Sequence, residues 1–241
     1  MKPATTKRHI WQRFSLRAFL ISTTALSLAI GVYIVRAKKQ AKAVSWCLEH
    51  SGYIAYDSNY DFNKHETGPV SPEQQWHETE WARDYISSVA QVRYTSQGSD
   101  PSALRALANL DMLVVNDPKQ CDLETLDAFP KLKVLQLLGD GPRDLAPLSK
   151  LTNIEQLGFE NLDVDNLEAL ANLNLHSLAI FESNVQDFSA VSKLKGLQLL
   201  ILKHTDISDA DLEKLGADLP KCYFQIINRD GTVKRIIPQG G

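Results

Sequence analysis

The chain has 241 residues, of which 44% are hydrophobic and 23% are charged, as in an ordinary folded domain with appendages. Its charge is unevenly distributed: residues 1–42 hold nine Lys and Arg and no acidic residue, so the rest of the chain holds 17 basic and 29 acidic residues. An acidic folded part excludes nucleic acid as its main partner, because phosphate binding requires a basic face.

The first predicted element is a transmembrane helix over residues 18–35, which contain no charged side chain. At 1.5 Å per residue the segment spans about 27 Å, just enough for a bilayer core. A cleaved signal peptide and a buried helix are the rival interpretations, but the triplets directly after the apolar run, Val35-Arg36-Ala37 and Arg36-Ala37-Lys38, are poor cleavage sites. Because basic residues flank both ends of the segment, the sequence does not determine on which side of the membrane the folded part lies; we favour an N-terminus on the inside.

A juxtamembrane region follows the apolar segment. The pattern predicts a helix over residues 37–50, then two short strands around Asp57-Ser58-Asn59, and a linker over residues 63–75. Residues 76–88 predict a helix that caps the first repeat with Trp81, Tyr85 and Ile86.

The main part of the chain repeats the pattern Leu-x-x-Leu-x-Leu with a period of 21 or 22 residues. The last two apolar positions alternate, as on one face of a β-strand, and a fixed period of this length is typical of a solenoid. The ladder therefore predicts short parallel strands stacked over a continuous core, with central residues Val92, Leu113, Leu135, Leu157, Leu178 and Leu200.

A second, polar ladder has the same period and predicts the starts of short helices, since Asp and Ser cap free backbone N–H groups. Apolar pairs three residues apart follow all six caps. Pro147 lies inside one of these segments and predicts a turn or a 3₁₀ piece there. The predicted caps are Asp100, Asp122, Asp144, Asp165, Asp187 and Ser208.

The C-terminal pattern predicts a hairpin around Asp230-Gly231, with strands over residues 224–227 and 233–237. The expected organisation is a basic tail (1–17), a transmembrane anchor (18–35), a juxtamembrane helix, hairpin and linker (36–75), a repeat domain with its cap (76–227), and a hairpin or tail (228–241).

Over about residues 80–227 the repeat motif resembles the leucine-rich repeat family, and the Phe14-Ser15-Leu16-Arg17 start of the apolar segment is similar to short-repeat bacterial members with an N-terminal membrane anchor. The resemblance implies an α/β leucine-rich repeat solenoid of about six to seven short strands with helical or 3₁₀ convex segments. The family's buried Asn is missing, so we expect less regular turns. Its position holds Pro118, Asp140, Leu162, Ser183 and Thr205.

Candidates for chemistry are few, and we expect no catalytic residue, no metal and no cofactor. Asp57-x-Asn59-x-Asp61 matches the start of a calcium loop, but Phe62 and Gly68 replace the Gly and Glu that the loop requires. His65 and His77 lack the His-x-x-x-His spacing of a zinc protease. The single cysteines are more consistent with small core residues than with a redox couple.

The remaining candidate is the strand face that points away from the core, which is apolar at several positions where a solvated sheet would carry polar side chains. We therefore interpret the chain as a non-catalytic, membrane-anchored scaffold for a protein partner. An enzyme or metal site in residues 53–80 and a structural envelope spacer are the alternatives. The expected partner-binding residues are Val114, Val134, Leu138, Phe181, Leu199 and Ile201.

Overall fold

The computed structural model describes residues 16–57, 60–61, 66–67, 88–96, 101–142, 144–161 and 163–236. A single helix, α1, runs over Leu16–Glu49, and a shorter helix, α2, runs over Asp209–Asp218. The strands are β1 Tyr53–Tyr56, β2 Tyr60–Asp61, β3 Glu66–Thr67, β4 Val89–Thr95, β5 Met112–Asn116, β6 Val134–Leu138, β7 Gln156–Glu160, β8 Asp163–Asn166, β9 Ser177–Phe181, β10 Asn184–Asp187, β11 Leu199–Lys203, β12 Tyr223–Ile227 and β13 Val233–Ile236.

Nine strands form one sheet in the order β1-β4-β5-β6-β7-β9-β11-β12-β13. The seven central strands are parallel and each pair is in register by one repeat, so Leu113, Leu135 and Leu157 stack in adjacent strands. The two outer strands, β1 and β13, pair antiparallel with β4 and β12, so the parallel strands themselves do not lie at the edges of the sheet. The fold is the leucine-rich repeat solenoid that the apolar ladder predicted.

Short 3₁₀ helices cover the other side of the core. The segment Ala146–Lys150, which contains Pro147, is 3₁₀ as predicted, whereas the last convex segment is the α-helix α2. The apolar residues after each cap are buried under these helices, as the helical spacing predicted. They are Leu104, Leu107, Leu126, Phe129, Leu148, Leu151, Leu167, Leu170, Phe188, Val191, Leu212 and Leu215.

At four of the predicted capping positions the side chain accepts a backbone N–H of the following segment; Asp122 and Ser208 are the N-cap residues themselves, and Asp144 and Asp187 lie one residue before the N-cap. Asp122, Asp144 and Asp187 each accept a hydrogen bond from the backbone N–H two residues on, and Ser208 accepts one from Asp211 N. In the corresponding repeat Asn166, one residue after the predicted Asp165, accepts the bond from Glu168 N at 3.0 Å. Asp100 lies outside the described residues.

The turns after the strands are regular, which contradicts the expectation drawn from the missing Asn ladder. A residue with positive φ follows each of the parallel strands β5, β6, β7, β9 and β11 of the main sheet. Where the bond is resolved, its backbone N–H donates to the last carbonyl of the next strand, as from Asp117 to Leu138 at 2.7 Å. Backbone bonds thus replace the side-chain ladder. The positive-φ residues are Asp117, Gly139, Asn161, Glu182 and His204.

Helix α1 unites the apolar segment and the juxtamembrane helix, which the sequence analysis treated as separate elements. Its final turns cover the first repeat, where Ala43 and Cys47 are fully buried. Trp46 stacks on His50 and meets Tyr94 edge-on, with ring centroids 4.2 and 5.2 Å apart. The predicted cap over residues 76–87 lies outside the described residues, so the cap that is described consists of α1 and β1.

Strands β1 and β2 do not form the expected hairpin. Tyr53 to Tyr56 instead pair antiparallel with β4, and β2 pairs with β3. A longer strand offers β1 more backbone partners than a two-residue strand. At the other end, β12 and β13 form the predicted C-terminal hairpin, with a turn closed by a bond from the backbone N–H of Asn228 to the carbonyl of Thr232.

Candidate binding face

The candidate site is the side of the sheet opposite the convex 3₁₀ helices, which we call the outward face. Because the parallel strands are in register, outward side chains from successive repeats form rows across the sheet. The middle row, in strand order, is Arg93, Val114, Gln136, Gly158, Ala179, Ile201 and Gln225.

Gly158 and Ala179, the two smallest residues of this row, pair in adjacent strands at its centre. We call the gap that they leave between their larger neighbours the hollow. Gln136 borders the hollow on one side, with its Cγ 3.4 Å from the place where a Cβ at position 158 would lie. Ile201 borders it on the other side. Two small residues between larger neighbours leave room for a side chain from outside.

The row nearest the C-terminal ends of the strands mixes apolar and charged side chains. Phe181 pairs with Glu160 in β7 and with Lys203 in β11, and Lys203 pairs with Ile227 in β12. All four side chains are partly buried rather than fully exposed. The row therefore offers apolar contacts with a charge beside each of them.

The structure divides the six residues that the sequence analysis assigned to partner binding. Leu138, Phe181, Leu199 and Ile201 lie partly exposed on the outward face. Val114 and Val134 are only 0% and 2% exposed, so the expectation that they contribute accessible surface was wrong. Both belong to the first repeats, and the repeat pattern alone carries no information on which repeats are covered.

Three further side chains share the outward face and were missed: Met112, Tyr223 and Ile227. Met112 packs against buried Ala55 and Ala90. Tyr223 and Ile227 belong to β12, which the sequence analysis treated as part of the C-terminal hairpin only. The alternation of Phe224 and Ile226 with these residues was the signal that could have placed them.

The loops that follow the C-terminal ends of the strands form an acidic edge beside the outward face. Within the described part of these loops there are two basic residues, Lys119 and Arg229. The acidic edge comprises Asp117, Asp122, Asp140, Asp144, Asp163, Glu182, Asp187, Asp206 and Asp230.

Local contacts hold several of these carboxylates in place. Glu182 lies 2.5 Å from His204 Nδ1 and 3.9 Å from Lys203 Nζ. The backbone N–H and the hydroxyl of Ser189 lower the pKa of Asp187, and the hydroxyl and backbone N–H of Thr232 lower the pKa of Asp230. The edge is therefore a preformed negative surface at neutral pH.

The groups considered for chemistry have structural roles where they are described. Asp57 accepts a hydrogen bond from Ser88 N at 3.1 Å. The positions Asn59, Phe62, Gly68, His65 and His77 lie outside the described residues. Among the residues that are described, no three His, Cys, Asp or Glu side chains converge as metal ligands. Burial raises the pKa of the Cys222 thiol to about 11, so it is neutral at physiological pH.

No protein-family model and no curated protein sequence matches the chain. Solved structures that resemble it include internalin C2 of Listeria monocytogenes, with 19% identity and a TM-score of 0.41 over 56% of this chain and 70% of that one. A plant peptide hormone receptor, RGFR1, in complex with RGF2 has 16% identity and a TM-score of 0.38 over 52% and 21%. A leucine-rich repeat protein of Leptospira interrogans has 16% and 0.36 over 53% and 40%.

The chain thus resembles leucine-rich repeat proteins in its fold. It spans less than half the length of the plant receptor and of the Leptospira protein. The assignment of the fold rests on the repeat period, the strand register and the turn geometry of this chain.

Proposed function

We propose that this chain is a single-pass membrane protein whose repeat domain, residues 76–227, is a non-catalytic scaffold that binds a polypeptide on the outward face. The observation that carries the proposal is the hollow at Gly158 and Ala179, bordered by Ile201 and lying beside Phe181. A small-residue hollow bordered by Ile201 and the stem of Gln136, with Phe181 nearby, fits an anchor side chain, and such anchors supply most of the binding energy of an interface.

The charges around the hollow suggest the chemistry of the partner. The acidic edge runs along the C-terminal ends of the same strands, directly beside the row that contains Phe181. A segment with one or two apolar side chains followed by Lys or Arg would meet both surfaces at once. Complementary charge of this kind raises the association rate and fixes the orientation of the bound segment.

Membrane attachment is the second part of the proposal. Among the described residues α1 is the one helix long and apolar enough to cross a bilayer, a criterion that a signal sequence also meets. Its apolar side chains, such as Leu20, Ile21 and Leu26, are exposed to more than half of their full extent. Side chains of this kind need lipid around them, which supports residues 18–35 as a retained anchor.

A scaffold is favoured over the alternatives because the site offers surface and no reacting group. Catalysis requires titratable side chains that converge on a pocket. The outward face instead has the hollow and single charges such as Glu160 and Lys203. A spacer without a specific partner would not need a hollow with apolar borders.

The proposal is tested with the full-length chain in nanodiscs, used to capture proteins from extracts of its source membranes. The variant Phe181→Ala with Ile201→Ser should reduce recovery of captured polypeptides by about tenfold or more, as expected when anchor contacts are lost. The matched control is Lys193→Ala with Lys214→Ala on the convex side, which should leave recovery unchanged.

Thermal melts of both variants separate lost binding from lost folding. Both side chains of the binding-face variant point away from the core, so its melting temperature should stay close to that of the parent chain. Equal recovery by a folded binding-face variant and by the control would overturn the assignment of the face and favour a spacer. Retention of the chain in membranes after carbonate washing, with an intact N-terminus by mass spectrometry, tests the anchor.

A further inference from the structure

We propose that the sheet edge formed by the N-terminal ends of the parallel strands, which we call the basal edge, rests on an anionic lipid surface. This inference rests on the proposed anchoring by residues 18–35 and adds the orientation of the repeat domain on the bilayer. It follows from the direction of α1, from the distance between the sheet and the apolar segment, and from the placement of lysines.

Helix α1 and strand β4 run in the same direction. Val89, at the start of β4, donates its backbone N–H to Gln40 Oε1 at 3.4 Å. Farther along, the Cys47 thiol lies 3.5 Å from the carbonyl oxygen of Arg93. At the end of β4, Thr95 N donates to the carbonyl of His50 at 3.2 Å. Higher residue numbers in the helix therefore meet higher residue numbers in the strand.

This direction places the apolar segment beyond the basal edge. The strands are parallel and in register, so all seven begin at the same edge as Val89. Gln40, which contacts Val89, is five residues after Val35, or about 7.5 Å along the helix axis. The basal edge thus lies roughly one Debye length from the end of the apolar segment.

The continuity of α1 fixes this arrangement. No Pro or Gly lies between Val35 and Glu49, and the helix is unbroken over this stretch. Gln40 contacts Val89, and Ala43 and Cys47 belong to the core cluster, so the helix is packed against the folded part from about the fifth residue after the apolar segment onward. The repeat domain has no flexible linker that would let it turn a different edge toward the bilayer.

Charge is distributed between the two edges as this orientation requires. Within the described residues, the loops that lead into the parallel strands carry Lys131, Lys133, Lys195 and Lys221 against Asp111 and Glu155, with Asp57 at the end of β1 on the same edge, whereas the loops at the opposite ends form the acidic edge. The exposed basic residues at the start of the juxtamembrane part of α1 extend the same basic surface. They are Arg36, Lys38, Lys39 and Lys42.

Neighbouring groups hold three basal lysines at the edge. Lys131 Nζ donates to Asn109 at 2.7 Å, Lys133 pairs with Glu155 at 3.0 Å, and Lys195 Nζ donates to the carbonyl of Asp218 at 3.1 Å. Lys131 and Lys133 also line a groove together with Pro130. Ammonium groups held beside a groove suit the phosphates of a lipid headgroup layer, and the acidic edge would be repelled by the same surface.

The test uses the full-length chain in vesicles of phosphatidylcholine with one-third phosphatidylglycerol, and in vesicles of phosphatidylcholine alone. A fluorophore is attached to Asn174→Cys on the basal edge or to Asp206→Cys on the acidic edge, both exposed positions. The described native cysteines are buried, which favours labelling at the introduced site. Headgroup-linked acceptor lipids should quench the label at 174 strongly and the label at 206 weakly.

A charge-reversal variant tests the lipid contact itself. Changing Lys131, Lys133, Lys195 and Lys221 to Glu should weaken quenching at position 174 in the anionic vesicles, and high salt should act in the same direction. The matched control reverses four exposed lysines off the basal edge, Lys119, Lys150, Lys193 and Lys214, and should leave quenching at 174 unchanged.

Three results overturn the inference. Equal quenching of the two labels would contradict the proposed orientation. Quenching at position 174 that does not change with lipid charge, salt concentration or charge reversal would contradict the contact with anionic lipid. In both cases the proposed anchor would survive, provided that the chain remains in the vesicles after carbonate washing. Loss of the chain in that wash would instead overturn the anchor and this inference together.

Discussion

Gly139 lies next to Asp117 in the adjacent repeat, with a φ of +94° at Gly139 and 51° at Asp117. A Cβ at position 139 would lie 2.5 Å from the Oδ1 of Asp117. The residues with positive φ begin the turns through which backbone hydrogen bonds connect one repeat to the next. Among the five positive-φ residues at these turns, the one at position 139 is glycine.

Replacement of Gly139 by Ala should therefore destabilise the repeat domain. The positive φ costs about 1–3 kcal/mol for an L side chain, and the Asp117 carboxylate must also move. The matched control is Gly216→Ala, since Gly216 lies in α2 with open space around it. That change should stabilise by about 0.5–1 kcal/mol because alanine favours the helix. The melting temperatures of the two full-length variants in nanodiscs test this prediction. Equal shifts of the melting temperature in the two variants would contradict the turn geometry.

The shift of a cap by one residue gives a sharp comparison between neighbours. Asn166→Ala removes the acceptor for Glu168 N and should cost about 1 kcal/mol of the free energy of unfolding. If Asn166 is the cap, Asp165→Ala should change the free energy of unfolding by only a few tenths of that amount. Urea unfolding followed by circular dichroism measures the free energy of unfolding of both variants. A larger loss for Asp165→Ala than for Asn166→Ala would support Asp165 as the cap, as predicted from the sequence.

The stacked core predicts a strong contrast between adjacent residues of one strand. Leu135 is fully buried, and Leu135→Ala should cost about 2–5 kcal/mol through lost contacts and a cavity. Gln136 points to the outward face, so Gln136→Ala should cost far less. Similar losses in the two variants, measured by urea unfolding, would mean that the strand faces are not as described.

The thiol of Cys222 gives a prediction that depends on pH. Burial raises its pKa from 9.0 to about 11, so at pH 8 iodoacetamide should modify it about a hundredfold more slowly in the folded chain than in the unfolded chain. The raised pKa favours the neutral thiol in the folded state. Its contribution to stability is therefore complete below pH 9 and is lost as the pH rises from 9 to 11.

Mass spectrometry of peptides alkylated over this pH range locates the modification. An exposed cysteine introduced at position 174 serves as the reactive reference in the same molecule. Modification of Cys222 at the rate of that reference would show that the last repeat is open rather than packed.

Most of the solenoid could be predicted because its signals are local and repeated. Each strand needs the same two inward residues, such as Leu157 and Phe159, and each convex segment needs its own cap. The exact cap in one repeat could not be read, because the spacing alternates between 21 and 22 residues and Asp165 and Asn166 can both accept the bond.

The candidate site was harder to predict because exposure depends on contacts between distant parts of the chain. The burial of Val114 and Val134 is invisible in a pattern that treats all repeats alike. The hollow at Gly158 and Ala179 needed the strand register, which brings the two residues side by side. The union of the apolar and juxtamembrane segments in α1 could have been inferred, since no Pro or Gly separates them.

The most direct test of the account is photo-crosslinking from single positions in the full-length chain in its source membranes. A photoreactive residue at Ser177, on the outward face, should crosslink a polypeptide, and Phe181→Ala with Ile201→Ser should abolish that product. The same residue at Gly216, on the convex side, should give no such product. A product of equal yield from both positions, or one that persists in the binding-face variant, would contradict the outward face as the binding site.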